Sequence, residues 1–136
     1  MNCPICTADN EEILWWNDKL RVIAVHNEAN APAFCRVIWQ NHVAEMTDLD
    51  AAERAELMET VYRVESAMRQ VFKPVKINLA SLGNVVPHLH WHVIARFADD
   101  ANFPAPIWAA ARRPSVTVLP ADWPQQVRAV LQKEAV

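Results

Sequence analysis

Residues 87–96 read PHLHWHVIAR, a stretch that places histidines at positions 88, 90 and 92. In an extended strand, successive side chains point to opposite faces, so residues two apart line one face about 6.6 Å apart. The stretch therefore predicts a strand with three imidazoles on one face and apolar side chains on the other. A solvent-exposed strand face usually carries Thr, Lys, Glu or Arg instead. Because imidazole binds metals and can act as nucleophile, acid or base, the row indicates a functional site.

Working outward from this strand, apolar runs and turn residues predict five short strands and two helices. The strands are expected at 13–16, 20–25, 34–39, 75–82 and 88–97, and the helices at about 48–72 and 122–133. Thr47 is the predicted N-cap of the long helix, and Pro74 ends it. Gly83 is the only glycine of the chain, and since glycine accepts positive φ, it predicts a sharp turn into the histidine strand.

Length and composition predict a single globular domain over residues 1–136, because 52% of the residues are hydrophobic and 21% are charged. The net charge of −3 leaves no basic surface for duplex nucleic acid, whereas a small anionic ligand needs only local donors. No apolar run approaches the roughly 20 residues of a membrane helix. The absence of a secretory signal pattern and the presence of three cysteines lead us to expect a reducing, cytoplasmic setting.

Cys3 and Cys6 have the C-x-x-C spacing of half a zinc site, which needs two more ligands. A redox motif is the competing interpretation, but thioredoxin-like motifs follow a strand and open a helix, and no strand is predicted ahead of this pair. His42 and His88 are the candidate completing ligands. A Cys₂His₂ set closes a tetrahedron, so such a zinc would be structural. The third cysteine, Cys35, lies among apolar residues and is expected to be a core thiol.

Three segments resemble the histidine triad (HIT) family in their order and spacing. Residues 88–94, HLHWHVI, resemble its His-φ-His-φ-His-φ-φ signature. Residues 37–42, VIWQNH, followed by Thr47-Asp48-Leu49, resemble the strand that ends in a histidine before the long helix of the family. The C-x-x-C pair resembles the N-terminal cysteines of many Hint-branch members. The resemblance covers about residues 1–110, and the segment 111–136 corresponds to a part that varies in such proteins.

The resemblance implies an α+β fold with a five-stranded antiparallel sheet, one long helix and a short C-terminal helix, the sheet being extended across a homodimer. It also implies a nucleotide-binding cleft and hydrolysis or transfer at an α-phosphate, and residues 82–85 resemble a bacterial diadenosine-polyphosphate hydrolase-like subgroup. Dinucleoside polyphosphates and nucleoside phosphoramidates are the implied substrates. No organic cofactor is implied. Zinc-containing members support the same four ligand positions, Cys3, Cys6, His42 and His88.

Roles for individual residues follow from the same resemblance. His90 matches the histidine that becomes nucleotidylated, and a neutral imidazole can attack phosphorus and divide one difficult displacement into two. His92 matches the third histidine, which would bind the nucleotide and donate to its phosphate oxygens as charge develops. Asn78 and Asn84 resemble phosphate-contacting amides of the family. Asn27 stands where family members hold the ribose hydroxyls.

The chain also departs from the family pattern. Residues 82–85 read LGNV where many Hint-branch members have Gly-Gly-Gln-Ser, so Val85 replaces the serine that assists the leaving group. This weakens the prediction of phosphoramidase activity and supports an alternative, a nucleotide-binding or scaffolding protein with little turnover. The complete triad argues against that alternative. A metalloenzyme with His90 and His92 as ligands is a third hypothesis, but the strand carries no carboxylate neighbour for them.

Overall fold

The structure, a computed structural model, describes residues 2–134, and in that range five strands form one antiparallel sheet flanked by two α-helices. The elements are β1 (Glu12–Trp16), β2 (Leu20–Ala24), β3 (Phe34–Trp39), α1 (Ala51–Phe72), β4 (Lys76–Ala80), β5 (His90–Arg96) and α2 (Trp123–Glu134). The strand order is β1-β2-β3-β5-β4, with every neighbouring pair antiparallel. The expected α+β architecture is therefore confirmed, and β1 and β4 are the two edges.

One face of the sheet packs against the helices. The buried residues of α1 are Leu57, Thr60, Val61, Val64, Ala67 and Met68. They meet alternate residues of the central strands, such as Val22, Val37 and Val93, because side chains two apart share a face of a strand. Cys35 is fully buried in this core, as predicted, and burial raises the pKa of its thiol well above the ordinary value.

The start of α1 differs from the prediction. Thr47 lies in a 3₁₀ turn, Met46–Asp48, and the N-cap of α1 is Asp50. The Asp50 carboxylate accepts from the Glu53 N–H at 2.8 Å, and the Glu53 carboxylate accepts from the Asp50 N–H at 2.9 Å. This reciprocal capping box satisfies two backbone donors that Thr47 would leave free. At the other end α1 stops at Phe72, ahead of Pro74, as expected.

The histidine strand is shorter than predicted, since β5 begins at His90 and residues 81–89 form a loop. His88 therefore precedes the strand, and its ring lies with Cys3, Cys6 and His42. Gly83 has φ of +72°, which confirms the sharp turn predicted before the strand.

The second face of the sheet is covered by residues 98–113, a layer that the sequence pattern did not predict. Ile107 of this layer is buried against Ile23, Phe34 and Ile94 of the sheet. Arg96 of β5 holds this layer to the sheet. The residue is 2% exposed, and its guanidinium donates to the Asp100 carboxylate at 2.9 and 3.0 Å. The even-numbered residues of β5 thus face a second interior and not solvent.

Within residues 2–134, no helix is both long enough and apolar enough to cross a membrane.

The buried Arg96–Asp100 pair generates a stability prediction. Burial alone would raise the pKa of Asp100, but hydrogen bonds from Arg96 and from three backbone N–H groups outweigh burial and lower it from 3.8 to about 2. A carboxyl group with a lowered folded-state pKa stabilises the fold fully above its unfolded value and loses that contribution as the pH falls through the folded value. Here the contribution is about 2 kcal/mol, lost between pH 3.8 and pH 2.

We expect Asp100→Asn to lower the free energy of unfolding at pH 7 by about 3–5 kcal/mol, because it leaves the Arg96 charge buried and unpaired. The difference from wild type should narrow as the pH falls below 3.8. Denaturant unfolding at pH 7, 4 and 2.5 measures both effects. Asp99→Asn, at the exposed neighbouring position, is the matched control and should change stability by less than about 0.5 kcal/mol. Equal effects of the two variants would contradict the role given to this pair.

Candidate functional site

His90 and His92 lie side by side on β5, and both are buried. Their ring centroids are 4.9 Å apart, and the rings are nearly perpendicular. Across the sheet, His92 pairs with Arg36 and His90 pairs with Ile38 of β3. The structure thus brings together the two histidines that were predicted to act on phosphate. Their separation would allow one phosphate group to contact both rings.

The tautomer of His90 is set by the backbone. Its Nδ1 lies 2.5 Å from the carbonyl oxygen of His88, and because a carbonyl can only accept, Nδ1 carries the hydrogen. Nε2 therefore keeps its lone pair. Burial lowers the pKa of His90, the hydrogen bond to His88 opposes this, and the nearby charge of Arg36 lowers it further. The result is a neutral imidazole with a free lone pair, which is the nucleophilic form.

His92 is held neutral more strongly. Burial lowers its pKa to about 4, with further contributions from His90 and Arg36. Its ring contacts the rings of Phe34 and Trp108, with centroids 5.3 and 5.4 Å away. Its Nδ1 is buried and has no hydrogen-bond partner among residues 2–134.

Arg36 was not singled out from the sequence. It projects from β3 onto the same face as the two histidines, with its guanidinium carbon 5.2 Å from the centroid of the Phe34 ring. The signal that could have found it is an arginine in the middle of the apolar strand FCRVIW, at a position that alternation assigns to the same face as Phe34. Trp108 was also missed, because nothing local in residues 98–113 indicates that this segment returns to the sheet.

The three candidate asparagines are placed differently. Asn78 lies on β4 opposite Ile94, and its Oδ1 accepts from Arg96 Nη1 at 2.8 Å. Its amide N–H groups therefore remain available on the face that carries the histidines. Asn27 and Asn84 are exposed in the loops after β2 and before β5, and neither side chain forms a hydrogen bond with the residues at 2–134. Only Asn78 is built into the sheet.

A pocket of about 300 Å³ opens beside His90. Its walls are residues 44–47, before α1, and residues 81–83, before the histidine strand. His88, Leu89, His90 and Trp91 complete the lining, so the pocket lies where the two loops meet the start of β5.

The four predicted metal ligands form a second cluster. The ligand atoms of Cys3, Cys6, His42 and His88 all lie within 4.8 Å of one another. His88 Nδ1 is 3.4 Å from each of the two sulfur atoms and 3.2 Å from His42 Nδ1. His88 Nε2 lies 2.6 Å from the Trp39 carbonyl and must donate to it, so the lone pair of the ring is on Nδ1 and faces the cysteines.

These distances fit a four-coordinate ion. Zn–N and Zn–S bonds of usual length give tetrahedron edges of about 3.3 Å between nitrogens and about 3.5 Å between nitrogen and sulfur. The Cys3 sulfur also accepts from the Cys6 N–H at 3.3 Å, a hydrogen bond that favours the thiolate form. The donor set and its geometry could therefore hold a metal such as zinc, with no position left for a substrate.

Arg21, which the sequence did not single out, fastens the cysteine loop to the sheet. Its guanidinium donates to the Ile5 carbonyl at 2.9 Å, to Glu11 at 2.7 Å and to Gln40 at 2.7 Å. Because Ile5 lies between the two cysteines, this contact positions both sulfur atoms over His88.

Comparison with known proteins places these features in a family. The family described as "HIT domain" matches residues 7–99. The AP-4-A phosphorylase of Mycobacterium tuberculosis is 30% identical over 102 residues, which cover 71% of this chain and 52% of that protein. The bis(5'-nucleosyl)-tetraphosphatase [asymmetrical] of Schizosaccharomyces pombe is 28% identical over 92 residues, covering 64% of this chain and 50% of that protein. The chain spans about half the length of these curated relatives.

Among solved structures, a histidine triad protein from Bradyrhizobium japonicum superimposes with a TM-score of 0.73 at 30% sequence identity. The superposition covers 93% of this chain and 92% of that one. The shared fold therefore extends over nearly the whole chain.

The burial of His92 generates a prediction for its titration. We expect its ring protons to titrate in NMR spectra with a midpoint near pH 4, well below its ordinary 6.5, with the signal assigned by its absence from His92→Asn. The unfolded chain takes up this proton at the higher pH, so the wild-type protein should lose stability as the pH falls from 6.5 towards 4. A midpoint near 6.5 would contradict the buried, neutral state of this ring.

Proposed function

The chain belongs to the HIT domain family, and on this premise we propose that it is an enzyme that cleaves nucleotides at the α-phosphate through a nucleotidyl-histidine intermediate on His90. One observation carries the proposal. The hydrogen bond from His90 Nδ1 to the His88 carbonyl leaves a lone pair on Nε2 of a buried, neutral ring. This is the protonation state that nucleophilic attack on phosphorus requires.

The reaction would proceed in two displacements. Nε2 of His90 attacks the α-phosphorus, a P–N bond forms, and the bond from phosphorus to the leaving group breaks with its electron pair departing on that group. The positive charge that develops on the ring is stabilised through Nδ1–H and the His88 carbonyl. Water then attacks the phosphorus and breaks the P–N bond, which releases the nucleoside monophosphate and a proton and restores neutral His90.

His92 would donate a hydrogen bond to a phosphate oxygen during both displacements. Its low pKa keeps the ring neutral, so it acts as a donor of fixed geometry and not as a general acid at neutral pH. Asn78 would add a second donor from its amide, since its oxygen is already bound to Arg96. Asn84 and Asn27, in the flanking loops, would contact phosphate and ribose respectively.

The names of the relatives support the substrate class. AP-4-A phosphorylase and bis(5'-nucleosyl)-tetraphosphatase are the names of the similar proteins. Dinucleoside polyphosphates are accordingly proposed as substrates, with nucleoside phosphoramidates as the other candidate.

A nucleotide-binding protein with little turnover is the second candidate function. It is favoured by Val85, which is 92% exposed and supplies no hydroxyl where a leaving group would need one. The intact His90 and His92 pair favours the enzyme.

We also propose that Cys3, Cys6, His42 and His88 hold a structural zinc. Four protein ligands close the tetrahedron, so the ion would anchor the N-terminal loop against His88 and supply no catalytic chemistry. No disulfide joins Cys3, Cys6 or Cys35, and a cytoplasmic setting, which we also propose, would keep the zinc-binding cysteines reduced. A homodimer is proposed as well, since the family resemblance implies a sheet extended across two copies and such pairing would cover an exposed edge strand.

We predict that His90→Ala abolishes turnover of diadenosine tetraphosphate and the nucleotidyl adduct seen by intact mass, because it removes the attacking nitrogen. His92→Ala should reduce the rate by about 10²–10³-fold, the usual effect of losing one transition-state donor. His26→Ala, which removes an exposed histidine from the loop after β2, is the control and should keep the wild-type rate. Wild-type turnover by the His90→Ala protein would rule out the covalent mechanism.

For the metal, we predict about one equivalent of zinc in protein purified without a histidine tag or chelator, and a lower thermal midpoint in Cys3→Ser and Cys6→Ser. Elemental analysis and thermal melting measure the two effects. Cys35→Ala removes the one thiol that lies outside the cluster and should retain the zinc. Less than about a tenth of an equivalent in the wild type, with unchanged melting of both serine variants, would exclude the structural zinc.

A further inference from the structure

Arg36 stands beside both site histidines but is absent from the mechanism above. It pairs directly with His92 across the β3–β5 ladder, and its guanidinium rests on the Phe34 ring, which also contacts the His92 ring. Its positive charge acts on both histidines, since it helps to lower the pKa of His90 and of His92. Arg36 therefore places a cation next to His92, on the face of the sheet that carries both histidines.

Unlike the other arginines of this face, Arg36 has no partner within residues 2–134. Arg21 is bound by Glu11, Gln40 and the Ile5 carbonyl, and Arg96 is bound by Asp100, Asn78 and the Ala105 carbonyl. The Nε of Arg36 is buried without a hydrogen bond. Burial lowers the pKa of the Arg36 guanidinium, and the carboxylates of Glu28 and Glu11 oppose this without forming an ion pair with it. An unpaired, partly buried guanidinium is costly for a protein and is satisfied by an anion.

The chemistry of the leaving group indicates which anion. An amine that leaves phosphorus must take up a proton. Val85 supplies no hydroxyl in the loop before β5, and the hydroxyl of Ser81 in that loop already donates to the His90 carbonyl at 2.9 Å. A phosphate chain departs as an anion at neutral pH and needs a cation beside it, not a proton. A guanidinium remains charged at any working pH and binds phosphate oxygens with two parallel N–H donors.

We propose that Arg36 binds the phosphate chain that leaves, so that the site selects nucleotides with a phosphate leaving group over nucleoside phosphoramidates. In the first displacement, His90 attacks the α-phosphorus, and the bond to the oxygen that bridges the α- and β-phosphates breaks. The electron pair departs on the β-phosphate, where Arg36 neutralises the charge. No proton is required for this step. The inference rests on the proposed function and assigns its substrate class.

The test compares two donors that share one adenylyl group, diadenosine tetraphosphate and adenosine 5'-phosphoramidate. We expect Arg36→Gln to lower kcat/KM for the tetraphosphate by about 10²-fold, the order expected for loss of one charged phosphate contact. The phosphoramidate value should change by less than about 3-fold, since that leaving group carries no phosphate for Arg36 to bind. Arg36→Lys keeps the charge but not the two parallel N–H donors, so its kcat/KM for the tetraphosphate should lie between those of the wild type and Arg36→Gln. An equal loss on both donors, or no loss, would overturn the role of Arg36.

The matched control is Arg63→Gln. Arg63 is also a half-buried arginine with its guanidinium over an aromatic ring, Trp15, but it lies on α1 at the helix face of the sheet. Arg63→Gln removes one positive charge, as Arg36→Gln does, and should leave the ratio of kcat/KM for the tetraphosphate to kcat/KM for the phosphoramidate unchanged. Thermal melting of each variant checks folding. If Arg36→Gln does not fold, the test uses Arg36→Lys, which should lower kcat/KM for the tetraphosphate relative to kcat/KM for the phosphoramidate; an unchanged ratio would overturn the role of Arg36.

A binding measurement separates this inference from the proposed enzyme activity. We expect the wild-type protein to bind the non-hydrolysable adenosine 5'-(α,β-methylene)triphosphate more tightly than adenosine in calorimetry, and Arg36→Gln to lose most of that preference. If neither donor is turned over but tighter binding of the triphosphate analogue than of adenosine depends on Arg36, the phosphate-binding role of Arg36 is supported and the enzyme proposal fails. If turnover and the adduct are present but the preference does not depend on Arg36, the enzyme stands and this inference fails.

Discussion

The hydrogen bond from His88 Nε2 to the Trp39 carbonyl is the contact on which the rest of the site depends. It fixes the ring of His88 and leaves its Nδ1 lone pair facing the two cysteines. It also holds the backbone of His88, whose own carbonyl receives the Nδ1 hydrogen of His90. One residue therefore joins the metal cluster through its side chain and the candidate nucleophile through its main chain. Anything that loosens the N-terminal loop would consequently act on the tautomer of His90.

The covered second face of the sheet supplies the electrostatic setting. Residues 98–113 are held by the Arg96–Asp100 pair and by Arg113, which donates to the carbonyls of Asp100 and Phe103. This layer removes water from the histidine face, and burial is the largest cause of the low pKa of both His90 and His92. A site intended for proton transfer would keep an imidazole near pH 7. The neutral pair here is suited to attack and to hydrogen-bond donation.

Charge in the site is unbalanced before a ligand binds. Arg36 is a cation without a hydrogen-bond partner in residues 2–134, next to two imidazoles whose pKa it lowers further than burial alone, and Glu28 and Glu11 form no ion pair with it. An anionic phosphate would form an ion pair with Arg36 and contact the rings of His90 and His92. The positive charge that adds to the lowering of the histidine pKa by burial would thus also attract an anionic substrate.

The sequence by itself determined the local features of this protein. Alternation in PHLHWHVIAR places His90 and His92 on one strand face, Gly83 adopts the positive φ that only glycine takes freely, and the C-x-x-C spacing puts two sulfurs within reach of one ion. Each depends on residues close in the chain, where backbone geometry is set by neighbouring side chains. Even locally, two candidate caps compete, and Asp50 is the cap and not Thr47 because Glu53 completes its capping box.

Only the tertiary structure decided which polar groups meet. Arg21 bonds to the cysteine loop and Arg96 bonds to Asn78 on the neighbouring strand, and both contacts join segments that are separated in sequence. Arg36 is left without a hydrogen-bond partner in residues 2–134. The return of Trp108 to His92 is of the same kind. A buried charge takes its partner from whatever the packed strands bring within 3 Å, and no local pattern records that choice. The strand that carries the chemistry was therefore readable from its residues, whereas the cation beside it became visible only in the folded sheet.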